Sequence, residues 1–140
     1  MKPPKFGNIN KYSGTDIRCF GGDPVAYAEN RHANFAGHFV IDTCTCGTGC
    51  HYLFLWDALT GKLYRDFPFT AIDINGYDDE KGDHVDYKGE QYRVDSSLLI
   101  VEACLEQTCD CATWYYSWNG SSFKLVAKKR VRKPATCLNK

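Results

Sequence analysis

Eight cysteines in a chain of 140 residues limit what this sequence can fold into more than any other feature. They stand at Cys19, Cys44, Cys46, Cys50, Cys104, Cys109, Cys111 and Cys137. An even number without a metal-finger spacing points to a disulfide framework. Such frameworks persist where the surroundings are oxidising, so the expected location is the periplasm, the cell surface or the medium. Residues 1–5 (MKPPK) lead directly into polar sequence, and the chain is read as a form from which an export signal has been removed. Each cross-link restricts the unfolded ensemble and contributes about 2–4 kcal/mol. One pairing is specific: Gly47 and Gly49 allow the tight turn that a local Cys46–Cys50 bridge needs. Cys44 and Cys46 point to opposite sides of an extended chain, so they should have different partners. The other pairings stay open among about a hundred connectivities.

The strand signals fit that framework. Residues 37–44 (GHFVIDTC) and 51–56 (HYLFLW) are rich in aromatic and β-branched side chains and flank a glycine-rich turn. Residues 57–61 (DALTG) form a tight turn, with Gly61 at positive φ, and 62–64 return as a short strand. Residues 67–73 suggest another strand, with Pro68 confining it to an edge or to its first residues. Residues 97–104 (SLLIVEAC) form the expected central strand. Residues 112–118 and 122–127 around Asn119-Gly120 form the best hairpin, with Asn-Gly suiting a type I′ turn and Ser121 able to lengthen the loop. Helical periodicity is absent beyond one or two turns at 25–30. The expected fold is therefore mainly β: one antiparallel domain (a meander, a sandwich or a partial propeller), stabilised by disulfides, with at most one short helix. The divisions are an irregular arm over 1–24, which holds three of the five prolines, a β domain over 25–128 and a basic tail over 129–140.

Composition excludes several functions. Seventeen bases balance seventeen acids, so no excess of positive charge marks a nucleic-acid binder. The longest apolar runs, 52–56 and 98–101, fall far short of the roughly 20 residues of a membrane helix. Charge is nevertheless uneven. Residues 73–95 carry eight acids against Lys81, Lys88 and Arg93, whereas 124–133 carry six bases and no acid. The plain reading is a solvated loop and a solvated tail. The sharper one is a polarised binding face in which the two segments partly neutralise each other.

No complete catalytic or metal site emerges, and no cofactor is expected. The spacings 44-46-50 and 104-109-111 lack the knuckle that holds a tetrahedral zinc. Residues 73–80 (DINGYDDE) place oxygens at alternate positions but miss the later ligands of a calcium loop, which favours an acidic turn. Cys50 and His51 are adjacent and point to opposite faces of a strand, so they cannot form a thiol–imidazole pair. His38 is read as a structural histidine. Trp114, Tyr116 and Trp118 share one strand face and are read as core rather than as an exposed platform for sugar rings.

Residues 34–39 (NFAGHF), 46–50 (CGTGC) and 57–64 (DALTGKLY) resemble a widespread group of small exported bacterial proteins, mostly uncharacterised. Residues 95–101 (DSSLLIV) and 115–120 (YYSWNG) extend the likeness in the same order. The chain departs from that group at Cys44, where tryptophan is usual, and in Cys104, Cys109 and Cys111, which implies extra cross-links. It also resembles, more distantly, the periplasmic immunity proteins that block peptidoglycan amidases delivered by type VI secretion. Those are small, mainly-β, non-catalytic inhibitors, some of which insert a serine-bearing loop into the toxin's cysteine–histidine site. That likeness implies a protein partner, a cell-wall hydrolase toxin, contacted through Ser96 and Ser97 or through Asn119, Gly120, Ser121 and Ser122. Against it stands the ordinary use of serine in turns. A glycan- or cell-wall-binding module and a thiol-dependent enzyme are the alternative functions.

Overall fold

A computed structural model describes residues 2–4, 23–64, 67–69, 71–105 and 108–137. Most of the N-terminal arm, including Cys19, and the last three residues of the tail lie outside the described residues. The one α-helix among the described residues, α1 (Pro24–Glu29), begins where Asp23 accepts hydrogen bonds from the amides of Val25 and Ala26, with proline at its first position. Ten strands follow: β1 (Phe39–Gly47), β2 (Cys50–Asp57), β3 (Leu63–Tyr64), β4 (Ile72–Asp73), β5 (Tyr77–Asp78), β6 (His84–Val85), β7 (Gly89–Gln91), β8 (Leu98–Leu105), β9 (Cys111–Trp118) and β10 (Phe123–Arg130). Every pairing is antiparallel. The main sheet runs β1-β2-β4-β8-β9-β10, with β3 also on β2 and β7 also on β8, while β5 and β6 form a separate hairpin. The fold is mainly β and disulfide-bonded, as its composition predicts, and β8 is an interior strand.

Short β4 organises the sheet. It pairs with Cys50 and His51 at the start of β2, and with Cys104 and Leu105 at the end of β8. From that junction β2 runs toward Asp57, while β8 extends the opposite way, back toward Leu98. A flat sheet would hold those two far ends apart. They instead touch, since the rings of Phe39 and Trp118 lie 5.4 Å apart, edge to face. The sheet is therefore folded over β4 into two layers. Phe39, Ile41, Leu53 and Leu55 from one layer meet Leu99, Val101, Trp114, Tyr116 and Trp118 from the other, all buried. The alternation of strand side chains fixes which residues these are. The opposite face of the first layer, Val40 and Trp56, packs under Ala28 of α1 and Ala58.

Disulfides concentrate at the junction. Cys46 bonds Cys50 across the β1–β2 turn, as expected, with Gly47 and Gly49 at φ of 136° and 75°. Cys104 and Cys111 face each other where β8 turns into β9, with Cα atoms 3.9 Å apart. Cys109 bonds Cys137 and pins the segment that follows β10. Cys44 is disulfide-bonded too, and not to Cys46.

Three local expectations change. The strand expected from Gly37 begins at Phe39, because Ala36 and Gly37 have φ of 48° and 89° and make a turn. Of the described residues in 67–73 only Ile72 and Asp73 are strand, and Pro68 has no amide to give a ladder. The β9–β10 loop spans four residues rather than two: Phe123 pairs with Trp118, and Asn119 lacks the positive φ of a type I′ turn.

Candidate functional site

The end of the molecule opposite the junction collects four turns. The first is the three-residue loop 36–38, closed by reciprocal bonds between the backbones of Phe35 and Phe39 (3.0 and 3.1 Å). Its positive-φ residues aim two amides sideways: Ala36 donates to the carbonyl of Ser96 (3.0 Å) and Gly37 to that of Val94 (2.7 Å). Asn34 braces the same loop, with its side-chain amide donating to the carbonyl of Ile41 (2.9 Å) and its oxygen accepting from the Ile41 amide (2.8 Å).

The second turn, after β2, is centred on Asp57. One carboxylate oxygen accepts from the Leu59 amide (2.8 Å) and lies 2.9 Å from Nδ1 of His38. Burial works hardest against ionisation of Asp57, but the Leu59 amide, His38 and Thr60 together outweigh it and hold the carboxyl below the usual range. The Asp57 side chain is 12% exposed and that of His38 43%. The imidazole, stacked on Phe39, therefore presents its other nitrogen at the rim. His38, read from the sequence as a structural histidine, is held by an acid that sequence reading did not connect to it. The Asp at the head of the DALTG turn was the available signal.

Loops 92–97 and 119–122 complete the rim, and the structure brings the two serine-bearing candidates together. Trp118, one residue before the hairpin tip, donates its amide to the carbonyl of Ser97 (2.9 Å). Ser96 is half-buried, and its hydroxyl accepts from the Leu98 amide (3.1 Å), so it stiffens its own loop. Ser97 is exposed. At the tip, the Asn119 side-chain oxygen accepts from the amides of Ser121 (2.9 Å) and Ser122 (2.8 Å) and from the Ser121 hydroxyl (3.0 Å). Asn119, Gly120, Ser121 and Ser122 are all exposed. Beneath them lies a bed of Phe39, Tyr64, Trp118 and Phe123 in mutual ring contact. Leu59 and Val94, missed in the sequence, add exposed apolar side chains to this end. Beside Ser96 opens a cleft of 620 Å³, lined by Glu90, Gln91, Tyr92, Arg93, Leu98 and Ile100.

The other candidate chemistries find little support. Among the described residues no three His, Cys, Asp or Glu side chains are grouped to hold a metal. Asp73 accepts from the Asn75 amide, and Asp79 from those of Lys81 and Asp83, so the acidic segment is built of turns. It contains the β5–β6 hairpin, where His84 lies 2.7 Å from Asp86 and 3.4 Å from Asp78, and Asp86 chiefly raises its pKa. Cys50 is bridged, and His51 instead sits 3.2 Å from both oxygens of Glu90. No described cysteine is free, which leaves a thiol-dependent enzyme without a nucleophile among these residues. Trp114, Tyr116 and Trp118 are buried, so they do not form an exposed sugar platform. The acidic and basic segments meet at one point, where the Arg132 guanidinium lies 5.2 Å from the Tyr77 ring centre and the Arg132 carbonyl accepts from the Tyr87 hydroxyl.

No family model, no curated protein and no solved structure matches this chain. No helix among the described residues is long and apolar enough to cross a membrane.

Proposed function

We propose that the protein is an exported binding protein that acts as a periplasmic inhibitor of a peptidoglycan-cleaving amidase, the role of an immunity protein. One observation carries the reading: the two serine-bearing loops sit side by side on a rim locked by bonds between its own turns. Loops already held in one geometry lose little entropy on binding, which favours tight association. Exposed hydroxyls at Ser97 and Ser122 suit a cysteine–histidine active site, because each can donate to an imidazole while offering no scissile bond, and Ser121, whose proton goes to Asn119, stiffens the tip between them. Leu59 and Val94 supply the apolar contact that a stable interface adds to its polar groups. The disulfides fit an extracytoplasmic setting.

The test mixes the purified protein with each cysteine-dependent amidase encoded in the same genome and follows release of peptide from cell-wall sacculi. Inhibition should saturate at one equivalent of protein, and Ser97→Arg or Ser121→Arg should abolish it without changing the fold. Undiminished inhibition by both variants, or no inhibition of any such amidase, refutes the proposal.

A further inference from the structure

Among the described residues β10 stands at one end of the main sheet. β10 is a strand that its own domain barely buries: of its eight residues only Phe123 is even half-covered. Ordering each residue costs about 1–2 kcal/mol. Among the described residues, β9 is the only strand that pairs with β10. The phase of that ladder is fixed at the tip, where Trp118 donates to Ser97 on one side and Asn119 to Ser122 on the other. It follows that Lys124, Ala127 and Lys129 turn their backbone groups toward β9. Leu125, Lys128 and Arg130 turn theirs toward open solvent.

A free row of amides and carbonyls is a template for another strand. Side chains determine which strand it accepts. Leu125 and Val126 are 48% and 54% exposed, an apolar pair in the middle of the edge. Around them stand Lys124, Lys128, Lys129 and Arg130, with no acid anywhere in 124–133. Only Lys128 has a described carboxylate partner, Asp110 at 3.2 Å. A second copy of the same edge would set these cations against one another, so self-pairing is disfavoured. An acidic strand with apolar side chains on alternate positions would satisfy the amides, cover Leu125 and neutralise the cations together.

We infer that the free edge of β10 binds an extended, acidic segment of a partner protein by adding it as a further strand beside Leu125, Lys128 and Arg130. The test uses the full chain, labelled with ¹⁵N, and a blocked peptide of alternating Glu and Val, about ten residues long to match a strand. On titration, amide exchange at Leu125, Lys128 and Arg130 should slow by about tenfold or more, with no comparable change at Lys124, Ala127 and Lys129, already bonded to β9. Leu125→Pro removes one outward donor without altering charge, as an edge strand tolerates, and should weaken binding about fivefold, the loss of roughly one hydrogen bond. Should that variant fail to fold, Lys124→Glu with Lys129→Glu is the replacement and should weaken binding at least as much. Several results would overturn the inference: unchanged exchange at the three outward amides, equal affinity for a Lys–Val peptide, or self-association through this edge in sedimentation. Binding of polyphosphate that survives Leu125→Pro, with no strand-like protection by the peptide, would assign the cations to a polyanion instead. None of these readouts involves an amidase, so this inference and the inhibitor proposal fail separately.

Discussion

Removing the Cys109–Cys137 bond should cost more stability than removing Cys46–Cys50, and the difference can be worked from the chain. The two bonds span sequence separations of 28 and 4 residues. Loop-closure entropy then assigns them about 3.6 and about 1.9 kcal/mol at 25 °C, a gap of about 1.7 kcal/mol. Native-state contacts push the same way, because Cys137 is buried whereas Cys46 and Cys50 are only partly so. For a chain of 140 residues, an unfolding entropy of about 2.1 cal/mol/K per residue turns the larger loss into a fall in Tm of about 12 °C. The assay is urea unfolding of Cys109→Ala/Cys137→Ala and Cys46→Ala/Cys50→Ala without reductant. It is followed by the fluorescence of Trp56, Trp114 and Trp118, all buried in the native state. The slope with urea must be read beside the midpoint, since an uncrosslinked chain exposes more surface when it unfolds. Equal losses, or a larger loss from the Cys46–Cys50 pair, would refute the argument. Stabilisation would then come from native contacts around each sulfur rather than from restriction of the unfolded chain.

Two further outcomes follow from close packing and from charge. A Cβ on Gly76 would stand 1.7 Å from the backbone carbonyl oxygen of Val85; Gly76→Ala should therefore lower stability by about 1–3 kcal/mol, with a thermal melt as the check and an unchanged Tm as the refutation. Asp57→Ala should cost about 1–3 kcal/mol at pH 7, from the Leu59 amide and the His38 imidazole left unpaired. Because the folded Asp57 carboxyl titrates below its unfolded value, its contribution is complete above about pH 4 and disappears as the pH falls through the folded pKa. Urea unfolding at pH 7 and pH 3 should show the gap between wild type and variant narrowing in acid; a constant gap refutes the assignment.

Alternation was legible because strands obey it. The core face of β9, with Trp114, Tyr116 and Trp118, and the turn bridged by Cys46 and Cys50 follow from period and glycine placement alone. The folding of the sheet was not legible, because it depends on β4, two residues long, with no periodicity to detect. The Cys104–Cys111 pair stayed open for the related reason that register, not spacing, sets those residues opposite each other. The rim was only half legible. Serine and asparagine marked both loops as turns, but their adjacency depends on the β8–β9 register that sets Trp118 against Ser97, and loop 36–38 joins them only through the amides of Ala36 and Gly37. Ala36 is a residue that no turn rule places at positive φ.

The two ends of the molecule are stiffened by different means, and the difference bears on function. At the junction the two hairpins that meet at β4 are each closed by a covalent bond, Cys46–Cys50 in the β1–β2 turn and Cys104–Cys111 in the β8–β9 turn, so neither turn can open while its bond is intact. At the rim the turns are held by hydrogen bonds from Asn34, Asp57, Ser96 and Asn119, over a bed of aromatic rings. Each such bond contributes only about 1 kcal/mol net, yet each fixes a different loop. A side chain lost there disturbs local geometry more than global stability. This is the arrangement that the proposed binding role requires of the rim. With two of the disulfides placed at the junction, substitutions at the exposed turn positions of the rim should leave the fold intact.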